Sequence, residues 1–256
     1  MAAESTPERL FTVAFVPGVT LAKWSKVWAE RRPDLPLGFA PTLEQDQVRV
    51  LHNGEAEVSF VRLPVDDSGL SVIPLYREIP VVVLPKEHAL ADAESVTVAD
   101  LAGDHLLQDP DLVPEWRDVA DEVRDGTRRP LPSIRTGDDA TELVAAGVGI
   151  VIVPQSVARL HSRKDVVARP VTDVAESQIA LAWLEENTTP DVEEFIGVVR
   201  GRTARSSRAP QEEPEKAPAK PRKPQQKEKA KPFTPRPHRA PKKLGKGRNR
   251  GRGGRS

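Results

Sequence analysis

The densest run of residues able to do chemistry lies near the C-terminal end: Lys242, Lys243, Lys246, Arg248, Arg250, Arg252 and Arg255. Such cations neutralise phosphates, and the Arg/Gly-rich segment from Arg248 to Arg255 resembles segments that bind single-stranded nucleic acid. DNA or RNA is one expected partner of this tail, and a solubilising or self-associating role is the other reading. Elsewhere the signals are thinner. Asp109, Asp111 and Glu115 lack the full spacing of a calcium loop. Gly147-Val148-Gly149 lacks the third glycine of a dinucleotide fingerprint and ends a helical pattern instead of opening one. There is no Cys, and His52, His88, His105, His161 and His238 are scattered without zinc-ligand spacing. His88 and His105 read as loop or surface residues. The serines sit in no nucleophile-elbow context. With no nucleophile, base and orienting group in line, the sequence points to a binding protein, not an enzyme, with no metal and no cofactor.

The formal net charge of +0 over 256 residues hides a division. Residues 1–200 hold 19 Lys+Arg against 34 Asp+Glu, and residues 201–256 hold 19 against 4, so the halves carry −15 and +15. From Gly201 onward the only large apolar residues are Phe233 and Leu244, among nine prolines. Such a stretch buries too little apolar area to offset its ordering entropy, so residues 203–256 are expected to be a disordered, extended basic tail. Residues 1–9 are expected to be disordered as well. No apolar run approaches the roughly 18 residues of a membrane span and no signal-peptide core stands at the start, so a cytoplasmic protein without membrane contact is expected.

Between these ends, short β-branched runs alternate with amphipathic stretches, the pattern of an α/β fold. The expected strands are Leu10–Val16, Leu37–Pro41, Glu57–Val61, Ile79–Pro85, Ser133–Thr136, Ile150–Pro154, Val166–Val171 and Ile179–Leu184. Helices are expected at 20–31, 43–53, 113–125, 138–147, 154–161 and 191–200, with one short turn over Thr97–Leu101. Leu21, Trp24 and Trp28 recur at helical spacing and should face the core or a subunit contact. Pro33 stops that helix.

Seven linked motifs carry a resemblance to a known family. Phe11-Thr12-Val13-Ala14-Phe15 matches its opening strand, and Trp28 to Pro33 the end of its first helix. Gln47, Leu51, Gly54 and Glu57 lead into Val58-Ser59-Phe60-Val61, and Gly69-Leu70 with Pro74-Leu75-Tyr76 match its first crossover. Leu84 to Leu90, then Val98 to Ala102, follow in order. Leu143-Val144-Ala145-Ala146-Gly147-Val148-Gly149-Ile150, ending in Pro154-Gln155-Ser156-Val157-Ala158, is the most recognisable stretch. Together they resemble the substrate-binding (effector-binding) domain of LysR-type transcriptional regulators over residues 10–202. The resemblance implies a two-lobed fold like that of type 2 periplasmic binding proteins, with two crossover segments. Lobe I would comprise about 10–76 and 185–202, and lobe II about 77–184. The family's winged helix-turn-helix would precede residue 10, so its operator-reading head is not expected in this chain.

Family effectors bind where loops deliver helix N-termini to the interlobe cleft, a placement that suits anionic ligands. By resemblance the loops here are Pro17-Gly18-Val19-Thr20, Pro41-Thr42-Leu43-Glu44 and Thr136-Gly137-Asp138-Asp139. Thr20 and Thr42 would donate hydroxyl hydrogen bonds to a carboxylate, or merely cap helices. Gly18 and Gly137 would let amides approach a ligand, or serve turns. Glu44, Asp138 and Asp139 bring negative charge that disfavours an organic acid. The expected function is a non-enzymatic sensor of a small organic effector, with a basic tail on nucleic acid or another polyanion. The alternative is a nucleic-acid-associated accessory protein whose lobes are a scaffold, or a dimerisation partner of intact regulators. A homodimer is also expected from the resemblance.

Overall fold

The computed structural model describes residues 9–202. The cationic tail residues from Lys242 to Arg255 and the expected disorder of residues 1–8 and 203–256 lie outside the described residues.

In chain order the elements are β1 (Phe11–Phe15), α1 (Ala22–Arg31), β2 (Leu37–Pro41), α2 (Arg49–His52), β3 (Val58–Leu63), β4 (Leu70–Glu78), β5 (Pro80–Pro85), α3 (Pro114–Arg117), α4 (Asp121–Arg124), α5 (Gly137–Ala145), β6 (Val151–Pro154), α6 (Gln155–Leu160), β7 (Val166–Pro170), β8 (Ser177–Leu184) and α7 (Pro190–Val199). They build two sheets, a five-stranded one ordered β2-β1-β3-β8-β4 and a three-stranded one ordered β6-β5-β7. β1 pairs in parallel with β2 and β3, whereas β8 runs antiparallel between β3 and β4.

Alternation along each strand feeds two cores per sheet. In the first sheet Phe11, Val13, Phe60, Ile179 and Leu181 meet α1 and α7 on one face. Ala14, Val61, Ala180 and Ala182 meet Val50 and Leu51 of α2 on the other. Trp28 centres the first face, 5.0 Å from Phe11 and 5.5 Å from Phe195 between ring centroids. Its indole N–H donates to the Leu35 carbonyl at 2.6 Å, so burying the ring leaves no polar atom unpaired. In the second sheet Val82 and Leu84 pack on Trp116, Leu101 and Leu106. Val83, on the opposite face, meets Val144 of α5.

Several expectations are corrected. Ser133–Thr136 is not a strand: Pro130 and Pro132 remove backbone donors just before it, and Thr136, though extended, is spent as the N-cap of α5. The expected helix at 43–53 divides into a 3-10 turn at Glu44–Asp46 and the four-residue α2, with Gln47 turned inward between them. That at 113–125 divides into α3 and α4 where Ala120 adopts an extended backbone, φ −64° and ψ 128°. The first crossover is itself the nine-residue strand β4. It tolerates Pro74 because it is an edge strand, and its register shifts between Pro74 and Tyr76. β8, assigned from sequence to the second lobe, pairs within the first sheet, because Ile179 and Leu181 are needed in the aromatic core. His105 lies in a loop, as one of its two readings had it, but is buried there, its Nδ1 2.6 Å from Glu122 Oε2.

Candidate binding cleft between the two sheets

Where β4 hands over to β5, between the two sheets, lies a cleft with two chambers. The wider, about 830 Å³, is lined from the first sheet's side by Phe15, Gly18, Thr20, Trp24 and Thr42, and from the second sheet's side by Gln155, Ser156 and Arg159. Tyr76 to Ile79, where β4 hands over to β5, form its back. Gly18 has φ +92°, and a Cβ there would collide with Ser156 Oγ. This loop thus brings the chain after β1 against the start of α6, an approach only glycine permits.

Thr20 and Thr42 both line the wide chamber. The N-cap positions of the neighbouring helical turns are held by Leu21 and Leu43, whose side chains make no cap hydrogen bond, and not by the threonines. Trp24, expected in the core or at a subunit contact, stacks on Phe60 at 4.6 Å and also walls the chamber. Burial pushes the Tyr76 phenol above its ordinary pKa, and Glu78 adds to the effect, so at neutral pH it is a protonated donor.

Thr136, Gly137 and Asp138 are not among the residues lining this chamber. Thr136 and Asp139 form a reciprocal capping box at the head of α5. The Asp139 carboxyl is held below the usual carboxylate range by the backbone N–H of Arg135 and by Thr136. Asp138 accepts from or bonds to His161 Nδ1 at 2.8 Å, and the ring of His161 lies where a Cβ at Gly137 would go.

Glu44 belongs to the narrower chamber, about 320 Å³, with Arg62, Gln108, Leu112, Ala175 and Ser177. Its carboxylate binds Arg62 Nη1. Arg62, 6% exposed, also donates from Nε and Nη2 to Glu78 Oε2 at 3.3 and 3.0 Å, and from Nη2 to the Pro17 carbonyl at 3.0 Å. Glu78 lines the wide chamber and Arg62 the narrow one, so this ion cluster stands between them. Two glutamines stiffen the walls by acting as surrogate strand partners. Gln47 bonds both the N–H (2.7 Å) and the carbonyl (3.0 Å) of Arg62, and Gln108 does the same for Ile152 at 2.9 and 3.0 Å. Ser156 Oγ and Ser177 Oγ are buried and have no partner among the described residues. No group of three or more His, Asp or Glu among the described residues could hold a metal, and no described helix is long and apolar enough to cross a membrane.

Of the residues singled out from sequence, Gly18, Thr20, Thr42 and Glu44 line the cleft; Arg62, Gln108 and Ser177 line it too and were not singled out. The one signal for Arg62 was a cation within a largely apolar strand, Val58–Leu63.

Comparison with known proteins places this geometry. The family model described as the LysR substrate binding domain matches residues 5–204. The Hca operon transcriptional activator HcaR of Escherichia coli (strain K12) is 26% identical over 210 residues, 77% of this chain and 69% of that protein. The HTH-type transcriptional regulator CatR of Pseudomonas putida is 30% identical over 197 residues, 73% of this chain and 66% of that protein. A probable hydrogen peroxide-inducible genes activator of Mycobacterium avium is 31% identical over 143 residues, 53% of this chain and 45% of that protein. The chain thus spans between about half and two thirds of these relatives. Among solved structures, the BenM effector binding domain with its effector benzoate matches with TM-score 0.60 at 21% identity, over 77% of this chain and 96% of that one. The reduced OxyR regulatory domain from Pseudomonas aeruginosa matches with TM-score 0.57 at 19% identity, over 80% and 100%. At these identities the two structures share the fold.

Proposed function

This chain belongs to the LysR substrate-binding domain family, whose members are regulatory effector-binding domains, and from that premise we propose that it senses a small organic molecule bound between its two sheets. The observation that carries the reading is the convergence of Gly18, Thr20 and Thr42 from one side with Gln155, Ser156 and Arg159 from the other. A ligand spanning both walls binds the closed arrangement better than the open one, and that difference in affinity is what shifts the population. Phe15, Trp24 and Tyr76 offer an apolar, aromatic bed, while the hydroxyls supply orientation. Calorimetry of the full chain against a metabolite panel tests this. A binder is expected that quenches the fluorescence of Trp24 and loses affinity roughly tenfold in Thr42→Val, the loss of one hydrogen bond to a buried ligand group. A panel in which nothing binds overturns the proposal.

A second reading concerns residues 201–256, whose 19 Lys+Arg against 4 Asp+Glu favour a polyanion. Phosphate neutralisation by this segment makes binding to DNA or RNA fall steeply with salt and depend little on sequence. Fluorescence anisotropy comparing the full chain with residues 1–202 across a salt series is the test. Equal binding by both removes the tail from the account.

A further inference from the structure

We infer that the narrow chamber selects a small neutral or cationic ligand that donates hydrogen bonds, and rejects carboxylates. The inference rests on the reading of the interlobe cleft as the effector site and specifies the chemistry of its inner part. Arg62 is the only cation among the residues lining this chamber. A guanidinium has five N–H donors. Four of Arg62's are taken, two by Glu78, one by Glu44 and one by the Pro17 carbonyl. A carboxylate entering here meets one remaining N–H flanked by two carboxylates, and like charges in a partly dehydrated site repel strongly.

The rest of the wall makes the same demand. Gln108 has committed its amide oxygen and one amide donor to Ile152. Pro80 and Pro154 have no N–H to offer. The Glu44 side chain is half exposed and only one of its oxygens is engaged by Arg62. Unengaged groups around a ligand are this second carboxylate oxygen, an acceptor, and two donors, the last Arg62 N–H and the second Gln108 amide N–H, while Ser177 Oγ is buried and unpartnered in the wall. Leu112, Val113 and Ile152 supply an apolar surround. A volume of about 320 Å³ sits at the lower end of ligand sites. With Glu44 and Glu78 outnumbering Arg62, a carboxylate adds a third anion, whereas an amide on a compact apolar skeleton donates to Glu44 and accepts from the free N–H groups, and an amine donates to Glu44.

The experiment uses the full chain and matched amine, amide and carboxylate forms of phenyl, cyclohexyl and butyl skeletons, with affinities from ligand-observed NMR. Two variants localise the effect: Glu44→Gln, which removes one anion and frees a guanidinium donor, and Ala175→Trp, which sets a large ring at an exposed position lining the chamber. Amines or amides are expected to bind at least tenfold more tightly than their matched carboxylates. Glu44→Gln should shrink that ratio about tenfold, and Ala175→Trp should abolish the binding. A carboxylate that binds as tightly as its amine and is displaced by Ala175→Trp overturns the inference while the effector reading stands. So does binding that neither variant alters, which puts the ligand in the wide chamber. If no form of any skeleton binds, the inference falls, and the wider metabolite panel then judges the effector reading separately.

Discussion

Arg62 and Glu78 show how much a single residue can hold together here, since both side chains are nearly dry, at 6% and 5% exposure. Removing one partner of such a pair leaves the other charged and buried, which costs about 3–5 kcal/mol. Arg62→Met should therefore lower the unfolding free energy by roughly that amount in urea titration. The double variant Arg62→Met/Glu78→Met should lose clearly less than the sum of the two single changes, because no buried charge is left without a partner and Glu44 is half exposed. Glu44→Gln, at a half-exposed position, should cost under about 1 kcal/mol. Gly18→Ala acts differently. It forces a side chain into φ +92° and against Ser156, at a cost of about 1–3 kcal/mol, and it wedges the two walls of the cleft apart. A lower melting midpoint together with a larger radius of gyration in small-angle scattering is the expected signature. An unchanged radius would show that the two walls move as one.

At the scale of elements, α5 depends on its capping box. Thr136→Ala should cost about 1 kcal/mol, because the N–H of Asp139 loses its acceptor at the head of the helix. The Asp139 carboxyl has a lowered pKa, so its contribution is complete above the unfolded value of about 3.9 and disappears as pH falls through the lower folded value. Acid unfolding of Asp139→Asn should accordingly be flatter below about pH 4. Most elements were legible in the sequence wherever apolar residues were continuous, as at Leu37–Pro41 and Pro80–Pro85. What escaped was set by partners distant in the chain. Thr136 reads as extended and is extended, yet no strand lies beside it to pair with. β4 was hidden by Pro74, which a central strand excludes and an edge strand accepts. For the cleft, loop glycines and threonines stand out by type, whereas Arg62 and Ser177 gain their meaning only when β3 and β8 are brought together.

For the whole molecule, the two sheets are nested in the chain. The three-stranded sheet uses only residues between Pro80 and Pro170, while the five-stranded sheet is begun by β1 to β4 and completed by β8 after that entire insertion. The ordering matters while the protein is being made. Translation at about 5–20 residues per second separates Leu63 from Ser177 by roughly 6 to 23 s. Throughout that interval β3, whose Val58 to Arg62 are all buried in the finished fold, has an open hydrogen-bonding edge beside the ribosome. The inner sheet can close meanwhile, being contiguous. A nascent chain stalled before Ser177 should therefore be captured by chaperones or aggregate, and one released after α7 should be soluble; comparing arrested chains of the two lengths by sedimentation would show it. The residue that completes the first sheet is thus also the one whose emergence ends the period of greatest hazard in the protein's life.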